Sequence, residues 1–363
     1  MNDRLYTAMS IKEQTRDLWK ICFDDSEAFV DMYFACRYAD RINKVLMEEE
    51  RVVSACQLIP YTLSFGPNSK IPIAYVSGAC THPAYRKQGR MRQLLAAAHQ
   101  ELFDQSVCFS TLIPASASLR EYYGRSGYTS CFCYDIRQLA TTDRHAGQQG
   151  RMAALEVHPL PLQDPLDVAA CAFFQERMGS RLCCIQHTEA DLQVVRKDLA
   201  LEGGSLYELA ADGILVGLAF CRPADTGVLH VDELLLADGW EVDAVLLRLG
   251  ELVGVSSVCC QLPPVKGMHE LGMARVICVE AALRHFARLH SSESFFIQVV
   301  GDEDLPDNND YYQLSGGGCR RGFRSSVVYT VFTIPFGSFN QVKNRVILVS
   351  GCISGNVIHY KLF

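Results

Sequence analysis

Between Ile73 and Tyr128 the chain alternates between segments that suit a sheet and segments that suit a helix, and their order leaves few folds open. Ile73-Ala74-Tyr75-Val76-Ser77-Gly78-Ala79-Cys80-Thr81 is an apolar strand that stops at His82-Pro83. A basic turn follows, Arg86-Lys87-Gln88-Gly89-Arg90-Met91-Arg92. Met91, Leu94, Leu95, Ala98 and Leu102 then recur at helical spacing, which predicts a helix from about Gly89 through Phe103. A second strand, Val107 to Ile113, leads to a short helix and to Tyr123-Gly124-Arg125-Ser126-Gly127-Tyr128. This order places the basic turn and the tyrosine pair on one sheet.

The turn has the chemistry of a phosphate cradle. Arg86, Lys87, Arg90 and Arg92 fall in a seven-residue window with no acid among them and one glycine at its centre. The first N–H groups of a helix lack internal partners and carry the positive end of its dipole, so a helix start binds anions. Gly89 lets the backbone approach a phosphate with no side chain between, and the arginines add charge-assisted hydrogen bonds. A solvated basic helix start has the same local pattern; the flanking strands are what favour the cradle. Downstream, Ser118 with Glu121 reads as a capping box that opens the short helix, and Gly127 is positioned to end it. That geometry turns Tyr123 back toward the strands and leaves Tyr122 as an ordinary packing aromatic.

The segment from about Lys44 to Tyr134 resembles a GNAT (GCN5-related N-acetyltransferase) domain. Arg86-Lys87-Gln88-Gly89-Arg90-Met91 is similar to that superfamily's Q/R-x-x-G-x-G/A loop, with Met91 where a small residue is usual. Tyr123-Gly124-Arg125-Ser126-Gly127-Tyr128 resembles the Y-G-R-x-G-Y element of the Eis-like acetyltransferases. The resemblance implies acetyl-coenzyme A as co-substrate, held by Arg86, Lys87, Gln88, Gly89, Arg90, Met91 and Ser118. It also implies that the strand residues Ala79, Cys80 and Thr81 pair with pantetheine. Tyr123 is then the general acid: when an amine attacks a thioester, the departing thiolate must be stabilised and protonated, and a fixed phenol does both. In Eis-like enzymes the terminal carboxylate acts as base, which points to Phe363 here; a water relay and a plain β-rich tail over 325–363 are the competing readings. The acceptor stays open among aminoglycosides, polyamines, peptide N-termini and lysines.

Composition describes a soluble, globular chain. Its 363 residues are 49% hydrophobic and 21% charged, which predicts about two to three domains with ample core. A net charge of −7 argues against a nucleic-acid surface, and no apolar run reaches the roughly 18 residues of a membrane span. Without a signal-like start at Met1, the expected compartment is the cytoplasm. Sixteen cysteines include the adjacent pairs Cys183-Cys184 and Cys259-Cys260 but no C-x-x-C, so free thiols and no metal are expected. Monomer and homo-oligomer are equally allowed.

The expected fold class is α/β (α+β), in three parts: a catalytic GNAT domain over 1–145 with a mixed central sheet, a degenerate second GNAT domain over 150–268, and a small sterol-carrier-like α+β domain over 269–363. The second part is read from an internal echo. Val52 to Pro60 has its counterpart in Val216 to Pro223, followed by strand Val228 to Leu236, helix Ala244 to Val253 and strand Ser257 to Leu262. The echoed turn, Ala237-Asp238-Gly239-Trp240-Glu241, is acidic and repels pyrophosphate, so this part walls the first site instead of binding coenzyme A. The third part rests on Gly272-Met273-Ala274-Arg275-Val276-Ile277, a helix to Leu289 and a strand over Phe295–Val300. Asp302, Asp304 and Asp307 read as a solvated acidic turn, Gly316-Gly317-Gly318 as a loop, and Asp24, Asp25 and Glu27 as helix caps or as a rim for a cationic acceptor. Two rival functions use the same residues: a sensor that binds acetyl-coenzyme A without turnover, and an acyl or lipid carrier acting through the C-terminal part.

Overall fold

The computed structural model describes residues 9–66, 69–142, 154–223, 227–265, 269–322 and 329–332. Phe363 and the strands expected over 346–352 and 357–362 lie outside them. Two compact units emerge among the described residues: one joins residues 9–132 to those from Leu271 to Phe332, and the other holds those from Cys133 to Glu270.

The first unit opens with two helices, α1 (Ile11–Cys22) and α2 (Glu27–Cys36). Ser10 and Glu13 form a reciprocal capping box on α1, and the Ser26 hydroxyl caps α2 by accepting from the Phe29 N–H at 3.1 Å. The sequence reading put Asp24 or Asp25 at that second cap; Ser26 is one residue closer, and Asp25 instead accepts from the Trp19 indole at 2.7 Å. Strands β1 (Asn43–Glu48), β2 (Arg51–Gly66) and β3 (Ser69–Thr81) form an antiparallel run. Helix α3 (Arg90–Asp104) then crosses over to β4 (Phe109–Leu112), which lies parallel to β3. Helix α4 (Ala117–Gly124) follows, and then β5 (Thr129–Ala140), which carries the chain into the second unit.

The second unit contains β6 (Leu155–Leu160), α5 (Val168–Gly179), the short β7 (Ile185–Gln186), α6 (Glu189–Leu201), β8 (Ser205–Ala211), β9 (Ile214–Pro223), β10 (Val228–Leu236), α7 (Val242–Val253) and β11 (Ser257–Leu262). Its strands run β5-β11-β10-β9-β8-β6. Strands β8, β9 and β10 are antiparallel, and β11 is parallel to β10. Two helices, an antiparallel run, a helix and a parallel strand therefore occur in the same order as from α1 to β4. Leu229, Val231, Val245, Leu246, Leu249 and Val258 pack together to close the α7 crossover, each buried on the apolar face its period predicts.

Strand β12 (His269–Val276) returns to the first unit and pairs antiparallel with β4, from Met273↔Leu112 to Val276↔Phe109. Helix α8 (Val279–Leu289) then buries Val279, Leu283, Phe286 and Ala287 against a small sheet. That sheet consists of β13 (Phe295–Val300), β14 (Tyr311–Ser315), β15 (Gly318–Arg321) and β16 (Tyr329–Phe332), in the order β15-β14-β13-β16. The glycine run forms the tight hairpin turn between β14 and β15: Gly316 and Gly317 both take positive φ, 56° and 77°, and Ser315 pairs with Gly318. Among the described residues no helix is long and apolar enough to cross a membrane, and no three His, Cys, Asp or Glu side chains cluster as metal ligands would.

Candidate active site

The site is built on the C-terminal half of β3. The parallel ladder between β3 and β4 runs only from Ile73↔Phe109 to Tyr75↔Thr111, so among the described residues Val76–Thr81 has no partner on β4. On the other edge, Ala55 faces Cys80 while Gln57 faces Ser77, leaving Gly78 and Ala79 opposite Cys56 as a bulge. Gly78 sits at φ 58°, and a Cβ there would lie 2.1 Å from the Trp19 ring, so only glycine fits between strand and helix. The bulge turns side chains to opposite faces. Cys80 packs with Leu18, Val52 and Ala55, whereas Ala79 packs toward Leu94, Leu95 and Tyr123.

The basic turn leaves β3 through a short 3-10 segment, Pro83–Tyr85, and reaches α3 through two left-handed residues, Lys87 (φ 61°) and Gly89 (φ 77°). Gly89 is the N-cap, no side chain caps the helix, and the space where its Cβ would stand is empty to 4 Å. The first N–H groups of α3 therefore lie beside an exposed, unfilled position with no side-chain cap, which suits a phosphate. The four cations are not equivalent. Arg86 is exposed and anchored by its Nε to the Thr81 carbonyl at 3.0 Å. Lys87 is exposed and makes no ion pair among the described residues. Arg90 pairs with Glu48, while Arg92 donates to the Arg125 carbonyl at 2.9 Å and meets Asp304 at 3.4 Å. Gln88 reaches back to the Ala84 carbonyl at 3.1 Å, and Met91 turns inward against the core that includes Leu94 and Leu95.

Helix α4 carries the tyrosine pair. It begins two residues earlier than the sequence pattern suggests: the Ser116 hydroxyl accepts from the Leu119 N–H at 3.3 Å, and Ser118 lies inside the helix with its hydroxyl on Ser116 at 3.0 Å. The expected Ser118–Glu121 capping box is thus replaced by a Ser116 cap, because Pro114 has already turned the chain and Ser116 is the first serine to meet free N–H groups. The helix ends in a Schellman closure: Tyr128 N–H bonds the Tyr123 carbonyl at 3.2 Å, Gly127 N–H bonds the Gly124 carbonyl at 3.1 Å, and Gly127 supplies φ 82°. The Tyr123 and Tyr128 rings complete it edge to face, with centroids 5.9 Å apart.

Tyr123 is buried among Leu58, Ala74, Val76, Leu94 and Leu95, with Met91 and Ala79 against the same cluster. Burial, reinforced by Cys56 and the neighbouring Tyr122, pushes its phenol well above the ordinary value. Its hydroxyl has no hydrogen-bond partner among the described residues. The other buried phenols of this unit are engaged: Tyr33 with Gln57 and Ser77, Tyr61 with Arg37 at 2.6 Å, Tyr128 with Ser110 at 2.6 Å and His99 at 2.9 Å, Tyr312 with the Asn308 carbonyl, and Tyr75 with the Ile113 backbone.

Three features escaped the sequence reading. Glu48, which pairs with Arg90, carries no local signal, being some forty residues away. The Asp302–Asp304 segment is not a solvated turn: the side chains of both acids are largely buried, and both pair with Arg275, at 2.7 and 2.8 Å. The third is a thiol pair. Cys22 donates toward the Thr81 carbonyl at 3.4 Å, and its thiol is lowered to about 6 by a hydrogen bond from Cys80 and by nearby Arg86; Cys80 is correspondingly raised. All described cysteines are free.

No curated protein sequence matches the chain. Among solved structures, similar folds include a conserved protein from Enterococcus faecalis described as a probable N-acyltransferase (TM-score 0.70, 15% identity, covering 89% of this chain and 85% of that one). Eis1 from Mycobacterium abscessus is similar at TM-score 0.67 and 15% identity, with the same coverages of 89% and 85%. A GCN5-related N-acetyltransferase from Anabaena variabilis is similar at TM-score 0.64 and 16% identity, covering 88% and 84%. Residues 6–131, which hold the short β3–β4 ladder and the glycine-capped helix start, match the acetyltransferase (GNAT) domain family, and the fold of the chain is similar to those of these N-acetyltransferases.

Proposed function

We propose that this protein transfers an acetyl group from acetyl-coenzyme A to a primary amine, and that Tyr123 protonates the departing sulfur. The observation that carries the reading is the unpartnered Tyr123 phenol, fixed by the Schellman closure in a core it shares with the cradle helix and the bulged strand. A phenol raised by burial is protonated at neutral pH, which is the state an acid needs. The co-substrate supplies a thioester. The uncapped start of α3 with Arg86 and Lys87 binds its pyrophosphate, and the unpaired edge of Val76–Thr81 offers backbone groups to its pantetheine arm. The neutral amine nitrogen bonds to the acyl carbon and gives its surplus proton to water, the carbon–sulfur bond breaks, the Tyr123 proton passes to sulfur, and the phenolate is reprotonated from solvent. Ser118, exposed in the first turn of α4, lines the approach in this reading.

The test is coenzyme A release from acetyl-coenzyme A across a panel of amines, for wild type and Tyr123→Phe. Chromatography is the appropriate readout, because the protein's own free thiols react with thiol dyes. Amine-dependent release that falls about 10²- to 10⁴-fold in the variant is expected. Cofactor binding without release by any amine favours a sensor, and release unchanged in Tyr123→Phe removes the acid assignment.

A further inference from the structure

Two consecutive carbonyls at the end of α4 are each held by an arginine. Arg92 Nη1 donates to the Arg125 carbonyl at 2.9 Å, and Arg275 Nη1 donates to the Ser126 carbonyl at 2.6 Å. Carbonyls at a helix C-terminus are unsatisfied acceptors at the negative end of the dipole, so cations there are favourable. The two arginines come from distant parts of the chain. Arg92 is the third residue of α3, in the first turn of the cradle helix, and Arg275 lies on β12. Asp304 joins them, accepting from Arg275 at 2.8 Å and lying 3.4 Å from Arg92.

The acidic side of this junction is itself fixed. Asp302 pairs with Arg275 at 2.7 Å, and the Asp302 carboxylate accepts from the Leu305 N–H at 3.1 Å and from Asn308 Nδ2 at 3.0 Å. Arg275 is 5% exposed and Asp302 4% exposed, so water screens these contacts weakly. A Cβ at Gly127 would come within 3.3 Å of the Arg275 guanidinium, so the left-handed residue of the turn also keeps room for the clamp. Asp304 links the two arginines through one carboxylate, closely to buried Arg275 at 2.8 Å and more loosely to the exposed Arg92 at 3.4 Å.

We infer that Asp304 is a positioning residue, which fixes the end of α4, and with it Tyr123, relative to the helix start that binds pyrophosphate; the inference rests on the reading of Tyr123 given above. It touches neither donor nor acceptor in this scheme. It sets the distance between the two halves of the site, where an error of about 1 Å costs up to about 10²-fold in rate.

A double-mutant cycle tests this with wild type, Asp304→Asn, Tyr123→Phe and the pair, reading kcat and the KM for acetyl-coenzyme A with the best amine of the panel, in single turnover for the slow variants. Asp304→Asn is expected to lower kcat about tenfold and leave KM within about twofold, because the cradle still binds. In the Tyr123→Phe background the same change is expected to cost less than about twofold, since there is no acid left to place. An equal loss in both backgrounds, or a rise in KM with kcat unchanged, overturns the inference. A Tyr123→Phe enzyme as fast as wild type, or no turnover with any amine, overturns the acid reading and the clamp together, a pattern distinct from additivity. If Asp304→Asn does not fold, Asp304→Glu, which keeps the charge and lengthens the side chain, carries the cycle.

Discussion

The turn after β3 and the turn after β10 occupy the same place in two repeats of one topology, and they treat the helix that follows in opposite ways. Each turn has a glycine with positive φ, Gly89 at 77° and Gly239 at 81°. In the first, that glycine is the N-cap, the helix start is uncapped, and the flanking charges are Arg86, Lys87, Arg90 and Arg92. In the second, Trp240 and Glu241 intervene. Trp240 is buried in the core with Val245 and Leu246, Glu241 is the N-cap, and Asp243 lies in the first turn, paired with Arg137. Acids at a helix start satisfy its dipole from within the chain. Neither start carries a side-chain cap hydrogen bond; the second has its own acids beside it, and the first has cations, the charge that an incoming anion would meet. In the reading proposed above, a topology repeated in one chain keeps its architecture while only one copy keeps an anion site.

The largest expected break of this contrast is to give the first turn the charge of the second. Arg86→Asp with Lys87→Asp should weaken coenzyme A binding at least about 10²-fold by calorimetry, since each lost charge-assisted contact is worth about 1.5–3 kcal/mol. A change under about threefold would show that the helix start alone binds the cofactor.

That prediction uses a part of the molecule that was plain in the sequence. The β3–α3–β4 crossover was legible because Leu94, Leu95, Ala98 and Leu102 are all buried, on one face, directly after a glycine that only a turn explains. The strands over Val228–Leu236, Ser257–Leu262 and Phe295–Val300 coincide with the apolar runs that predicted them. The start of α4 was ambiguous because two serines two residues apart both satisfy cap chemistry, and only the path of the chain after β4 chooses Ser116. The contacts that fix the site were not legible at all. Arg90 with Glu48, Arg275 with Asp302, and Cys22 with Cys80 join residues tens of positions apart, and nothing local marks them as partners.

A smaller effect separates the units at high pH. Both contain buried thiols held above their usual range, such as Cys56 in the first and Cys184 in the second, each pushed up to about 12 by burial. Among the described residues only the first adds buried phenols, Tyr33, Tyr75, Tyr123, Tyr128 and Tyr312, all raised by burial. A raised phenol stays neutral in the folded chain while the unfolded chain ionises near 10, so its stabilisation is present at lower pH and is lost as pH rises through that region. For several phenols the loss between pH 8 and pH 10 is about 1–2 kcal/mol. Hydrogen exchange should accordingly show the first unit opening before the second as pH approaches 10, and equal or reversed order would contradict this assignment.

The smallest effect tests the silent repeat. Asp238→Arg with Glu241→Arg should leave the coenzyme A affinity within about twofold and create no second binding event, because Trp240 still fills the turn. A stoichiometry of two would mean that charge alone had silenced it.

The pairing of β4 with β12 sets a schedule for the birth of the protein. Leu112 and its partner Met273 are about 160 residues apart, so the strand at the heart of the site waits for nearly the whole second unit to be made before its far edge is covered. At roughly 5–20 residues per second of synthesis that wait is on the order of ten seconds or more. During it, the uncovered Phe109–Leu112 edge is a template for any other strand in reach. Chain growth, and the folding helpers that attend it, thus decide whether the first unit closes on its own late strand or on a neighbour's.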